Sequence, residues 1–170
     1  MQKIIKLVVF LAFISGLSGL CLSLVNDITK PIIEEQKMAA VKENLEQLYA
    51  GANFETASEA VADTAITNIY KVNGGEAYVY KISVIAYDGG EVAALVGINK
   101  DGSYKGFKIL LMDKQTSGIG TRIGDEEFTS QFDGTTIDDN IDTLSGATLT
   151  STPVVNAVDQ VVEHFKANYK

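Results

Sequence analysis

The sequence predicts an α+β domain carried behind an N-terminal membrane helix, and three observations predict it. Residues 7–25 hold no charged side chain across 19 positions, enough at about 1.5 Å of rise per residue to cross most of a bilayer's hydrocarbon core. Four runs rich in Val, Ile and Tyr, at 66–72, 77–86, 91–99 and 104–112, are separated by short glycine-bearing turns, which is the pattern of consecutive antiparallel hairpins. Near the C-terminus Val154, Val155, Val158, Val161, Val162 and Phe165 return at helical spacing, so a helix is expected to pack against one face of the sheet.

The elements follow in order. Residues 1–6 form a short lead containing Lys3 and Lys6, whereas the flank after Val25, Asn26-Asp27-Ile28-Thr29-Lys30, is nearly neutral. The positive-inside rule then keeps the N-terminus in the cytoplasm and places the rest of the chain outside it. A cleaved export signal fits less well, because the apolar run exceeds the usual length and no Ala-x-Ala site follows. A lipid anchor at Cys21 would require a small residue where Leu20 stands. Residues 7–25 are therefore read as a retained transmembrane helix in contact with membrane lipid.

Thr29-Lys30-Pro31 resembles a helix restart, a cap followed by a proline. Ile32, Ile33, Met38, Val41, Leu45, Leu48 and Tyr49 then recur at near-helical spacing, predicting an amphipathic stalk over residues 26–52 with Glu34, Glu35, Glu43 and Glu46 on its solvated side. Residues 53–170 make up the extracytoplasmic domain. Its first part, 53–63, is rich in Ala, Thr and Glu without a clear period and reads as a short helix or loop. Tyr70, Tyr78, Tyr80 and Tyr87 are assigned to sheet packing in preference to stacking on a planar cofactor, and Phe128 and Phe132, four apart, to the inner side of a short helix.

Composition excludes several classes. A net charge of −8 argues against nucleic acid as a partner. With one Cys and one His there is neither an internal disulfide nor a Cys/His metal cluster. Glu126, Glu127, Asp138, Asp139 and Asp142 lack the alternating spacing and closing Glu of a calcium loop. His164 has no nucleophile near it in sequence, so no catalytic triad is assigned. Redox chemistry, if present, has to come from an organic cofactor or a carboxylate-bound metal.

The most informative stretch is Asp142-Thr143-Leu144-Ser145-Gly146-Ala147-Thr148. Gly146 and Ala147 remove side-chain bulk ahead of the Thr148 hydroxyl, so a large group can approach it. Downstream, Thr152 and Pro153 read as a helix cap and first helical residue. An anion at Thr148 would thus lie near the positive end of a helix dipole. This segment resembles the flavinylation motif of the FMN-binding domain shared by the G subunit of the Rnf complex and the C subunit of the sodium-pumping NADH:quinone reductase. In that family the last Thr of the motif carries FMN through a phosphoester, placed there by a flavin transferase that uses FAD as donor. The resemblance implies Thr148 as acceptor and Asp142, Ser145, Gly146 and Ala147 as its recognition residues.

A second stretch, Thr116-Ser117-Gly118-Ile119-Gly120, is similar to a Thr-x-Gly-x-Gly loop that lies against the flavin ring in the same family. The likeness implies roles for Thr116, Gly118, Ile119 and Gly120. Asp113, Gln115 and Ser117 depart from the His, Glu and Pro commoner there. On physical grounds two glycines would let backbone N–H groups reach the flavin edge, and Arg122 would balance a reduced, anionic flavin. The resemblance implies a membrane-anchored flavoprotein with covalent FMN, relaying electrons among the other subunits of an Rnf-type ion-translocating complex. Two alternatives stay open: a stand-alone FMN carrier serving extracellular electron transfer or an exported reductase, and a flavin-free surface binding domain.

Overall fold

A computed structural model describes residues 2–170, with the side chains of Gln2, Lys3, Pro31, Glu34 and Lys37 outside the described set. The expected contributions of Lys3 to the basic lead and of Glu34 to the stalk's solvated side therefore lie outside the described residues. The chain divides into two compact units, one ending at Val41 and the other spanning Lys42–Lys170.

Helix α1 covers Gln2–Leu48. Contrary to the expected restart at Thr29-Lys30-Pro31, the backbone is helical through all three residues. A proline inside a helix removes one intrahelical bond, and the turns on either side carry the helix past the gap. Ile4–Lys30 has a mean hydropathy of 2.4, and its apolar side chains are exposed, from Ile14 at 44% to Leu22 at 72%. Length and composition make this segment compatible with a single-pass membrane anchor. Ile32, Ile33 and Met38, expected on a stalk's apolar stripe, are also exposed, whereas Leu45 and Leu48 are buried. The helix ends at Leu48 rather than running to residue 52.

The second unit is built on five strands: β1 (Phe54–Ser58), β2 (Ile66–Val72), β3 (Ala77–Ile85), β4 (Glu91–Asn99) and β5 (Tyr104–Met112). They pair antiparallel in sequence order, β1-β2-β3-β4-β5. β1 replaces the helix or loop expected at 53–63. It is an edge strand whose only partly buried residue is Phe54, so its side chains carry no burial alternation for the sequence to display.

One sheet face, with Ile69, Tyr80, Ile82, Ala94, Val96 and Phe107, packs against Ile123, Phe128 and Phe132 and against Val154, Val158, Val161 and Phe165 of the C-terminal helix α3 (Thr148–Asn168). Phe128 lies in the short helix α2 (Glu126–Thr129) and Phe132 in the 3₁₀ turn after it; both are fully buried, as expected. Val72, Ala77, Val79 and Leu95 are buried on the other face. There Gly97 and Gly106 stand opposite each other in the β4–β5 register. A Cβ on Gly106 would lie 3.1 Å from Leu48 Cδ2, and one on Gly97 3.3 Å from the Tyr49 ring. The glycine pair thus lets the last turn of α1 lie close on the sheet.

Candidate functional site

Helix α3 begins at Thr148, with Ala147 as its N-cap. The start expected at Thr152-Pro153 is thereby corrected: Thr152 is four residues inside the helix, and Pro153 lies in its second turn. Local signals were misleading because Gly146, at φ 81°, turns the chain earlier, and Ser151 fixes that turn from within the helix. Ser151 Oγ accepts the Leu144 N–H at 3.0 Å and donates to the Ala147 carbonyl at 3.1 Å. The Ala147 N–H in turn donates to the Leu144 carbonyl at 3.1 Å.

Burial along the motif repeats every third residue. Ile141, Leu144, Ala147 and Thr150 are buried, while Asp142, Thr143, Ser145, Gly146, Thr148 and Leu149 are exposed. The apolar series pins the segment to the core, so Asp142, Ser145 and Thr148 are presented outward. The Asp142 backbone is held at both polar groups by Gln131, whose side chain accepts its N–H at 2.7 Å and donates to its carbonyl at 3.2 Å.

Beside Thr148 lies a cavity of about 350 Å³, lined by Tyr87, Thr116, Ile119, Gly120, Gly146, Ala147, Thr148, Leu149 and Thr150. Its size is near the lower end of small-molecule sites, about 300–1,000 Å³. Thr116, Ile119 and Gly120 are thus brought to Gly146, Ala147 and Thr148 from about 30 residues away in sequence. Gly118, Arg122, Asp142 and Ser145 do not line this cavity. The Gly118 N–H is engaged by Thr121 Oγ1 at 2.9 Å, and its φ of 73° serves the turn. At Gly120 the constraint is space, because an added Cβ would lie 2.9 Å from Thr150 Oγ1 and 3.2 Å from Gln115 Oε1.

Arg122 sits behind the motif. Its Nη1 donates to the Ser145 carbonyl at 3.0 Å and its Nη2 pairs with Glu127 Oε2 at 2.6 Å. With Glu127 more than half exposed, the pair adds at most about 1 kcal/mol, and Arg122 works chiefly as a brace for the loop.

Three residues that the sequence reading did not assign to the site complete the arrangement. Thr150 and Ser151, 2% and 0% exposed, read in sequence as two more hydroxyls in a polar run. Tyr87, assigned to sheet packing, instead opens a 3₁₀ turn, is 45% exposed and lines the cavity. A Tyr directly before Asp-Gly-Gly, where a hairpin must turn, was the available signal.

The residues fit a phosphate-bearing planar ligand. No side chain caps α3 at Ala147, and the N–H groups of Thr148 and Leu149 precede any carbonyl the helix offers them. An anion at the Thr148 hydroxyl would complete this uncapped start and sit in the favourable end of the dipole of a 21-residue helix. The adjoining cavity mixes backbone at two glycines with Tyr87, Ile119 and Leu149, a surface suited to a flat aromatic ring.

Uncapped helix start, exposed Thr148 and adjoining cavity together suit a phosphate-bearing planar ligand on an α+β scaffold. Comparison with family models agrees: the FMN-binding domain matches residues 88–163, a stretch running from the turn after β3 through most of α3, and this supports the FMN-binding domain family for the chain. A comparison with curated proteins finds no match.

Proposed function

We propose that the protein is a membrane-anchored electron carrier with FMN joined through its phosphate to Thr148 Oγ, acting within an Rnf-type ion-translocating ferredoxin:NAD oxidoreductase. The observation that carries this reading is the position of Thr148. Its exposed hydroxyl opens an uncapped helix at the mouth of a cavity formed by the two segments that resemble the family's motifs. Flavin, when bound, accepts and releases electrons singly or in pairs, which suits a relay between one- and two-electron partners.

The chain's own residues would do the rest. Thr148 supplies the phosphoryl acceptor, the first-turn N–H groups of α3 favour the phosphate charge, and Gly120, Ile119 and Thr116 bound the ring. Asp142 and Ser145, held outward by Gln131 and Arg122, would be read by a flavin transferase drawing on FAD. Support for the Rnf assignment is the combination of this motif with an N-terminal helix apolar enough to span a bilayer. Lys3 and Lys6 support a cytoplasmic N-terminus and an external domain. Thiol labelling of an Asp101→Cys variant in intact cells checks that side, and labelling only after lysis would reverse it.

The deciding experiment is intact mass of the full chain made with and without the flavin transferase, for the parent and for Thr148→Val. Val keeps the shape and removes the hydroxyl. The parent gains one FMN phosphoester only with the transferase, and Thr148→Val gains none. An equal gain in Thr148→Val would show that another residue is the acceptor.

A further inference from the structure

We propose that the Tyr87 ring is a wall of the flavin seat, enclosing the isoalloxazine together with Ile119 and Leu149. The inference rests on the reading of the cavity as a flavin site and adds a contact that neither motif contains. Among the described residues of Lys42–Lys170, the large apolar side chains left exposed are Ile85, Tyr87, Leu111, Ile119 and Leu149. Three of these five line the cavity beside Thr148. They come from three separate segments, so their meeting reflects the fold and not one greasy loop. Water-exposed apolar surface gathered around a concavity is the signature of a site that a ligand covers.

Tyr87 is also held in the same frame as Thr148. Its carbonyl accepts the Gly90 N–H at 3.0 Å and Gln115 Nε2 at 3.4 Å. Gln115 Oε1 in turn accepts the Thr150 hydroxyl at 2.7 Å, tying the Tyr87 turn to the first turn of α3. Within the turn Asp88 takes φ 53°, an unfavourable value for a residue with a Cβ, and such strain persists where the surroundings enforce it. Gly90 is packed so closely that an added Cβ would run into the Asp113 carbonyl. This turn is built to hold its first residue in place. A tyrosine suits that position, with an aromatic face for the flavin and a hydroxyl for water.

The test uses the full chain co-produced with the flavin transferase, comparing parent, Tyr87→Ala, Tyr87→Phe and Ile85→Ala. Emission per covalent flavin and its quenching by acrylamide are measured, since a phenol ring in contact with a flavin quenches its emission and shields one face. Tyr87→Ala is expected to shift the ring's seated-to-unseated ratio by about two- to tenfold, the range for losing one aromatic contact, seen as brighter emission and easier acrylamide access. Tyr87→Phe should keep the shielding, and Ile85→Ala, exposed but not among the residues lining the cavity, should match the parent. If Tyr87→Ala takes up no flavin, Tyr87→Leu, which keeps apolar bulk without the phenol, is read in its place. Parental emission and quenching in the Ala or Leu variant would overturn the proposal. A parent without flavin would instead overturn the reading of the cavity itself.

Discussion

Thr150 Oγ1 donates a 2.7 Å hydrogen bond to Gln115 Oε1, joining two segments 35 residues apart in sequence. The amide nitrogen of the same Gln115 donates to the Asp113 carbonyl at 2.8 Å and to the Tyr87 carbonyl at 3.4 Å. One side chain thus fastens the loop before the cavity, the turn after β3 and the first turn of α3. A glutamate at this position would lose the donor half of the arrangement in its ionised form.

Thr150→Val should remove the tie while keeping the packing of a residue that is 2% exposed. Gln115 is only half-buried, so water can take up its freed carbonyl, and the expected loss is about 1 kcal/mol. Denaturant unfolding of the Lys42–Lys170 region within the full chain measures it. Covalent flavin at Thr148 should persist, and its absence would show that the tie is needed for loading.

The two glycines of the Thr-x-Gly-x-Gly stretch should respond differently. Gly120→Ala puts a Cβ 2.9 Å from Thr150 Oγ1 and 3.2 Å from Gln115 Oε1, so the tie must open and the cavity floor must shift. Gly118→Ala meets nothing within 4 Å and bears only the cost of a left-handed φ of 73°, about 1–2 kcal/mol. Flavin spectra should therefore change in Gly120→Ala and stay parental in Gly118→Ala. The reverse ranking would mean that the ring rests on Gly118.

The hairpins were legible in the sequence because β2, β4 and β5 are largely aliphatic and aromatic runs separated by glycine-bearing turns, and their ends match the predicted ones. β1 was not, since an edge strand with one half-buried residue looks like any polar segment. Thr152-Pro153 and Thr29-Lys30-Pro31 both mimicked helix starts. In each case the backbone enters the helix earlier, and a proline inside a helix is tolerated where neighbouring turns compensate. The acceptor segment stood out through its resemblance to a known motif. Its supports did not: Thr150, Ser151, Gln131 and Gln115 act through partners up to 35 residues away, a distance at which local composition carries no signal.

His164, the sole histidine, has its Nδ1 3.2 Å from the Tyr80 hydroxyl and its ring edge-on to the Tyr80 ring. Desolvation by burial lowers its pKa from the ordinary 6.5, so the folded state favours the neutral ring. The unfolded chain takes up the proton first as pH falls. The contribution is therefore fully present above about pH 6.5 and lost as pH falls through the folded value. Melting temperature should drop on going from about pH 7 to pH 5, and His164→Gln should flatten that drop. Asp138, held low by hydrogen bonds from Lys166 and Lys170, and Asp101 and Asp139, held low by hydrogen bonds from Ser103 and Thr136, lose their contributions only below the ordinary 3.8, which keeps the two windows apart. An unchanged slope in His164→Gln would remove His164 as the cause.

The hydroxyls after Thr148 should separate into distinct roles. Ser151 is fully buried and is the acceptor for the Leu144 N–H as well as a donor to Ala147, so Ser151→Ala leaves a buried backbone N–H without its partner. That costs about 1–3 kcal/mol, more than Thr150→Val, whose stranded partner reaches water. Thr152, inside the helix and half-buried, caps nothing, and Thr152→Ala should stay within about 0.5 kcal/mol. Stability is thus expected to fall in the order Ser151→Ala, Thr150→Val, Thr152→Ala. Loading should follow the same logic, because Ser151 holds the turn that presents Thr148 while contributing no atom to the cavity lining. At a limiting amount of transferase, Ser151→Ala should therefore carry less covalent flavin than the parent although its acceptor hydroxyl is intact, and excess transferase should restore it. Parental stability together with parental loading at the limiting dose would show that Gly146 and the buried Leu144 and Ala147 hold the turn without Ser151.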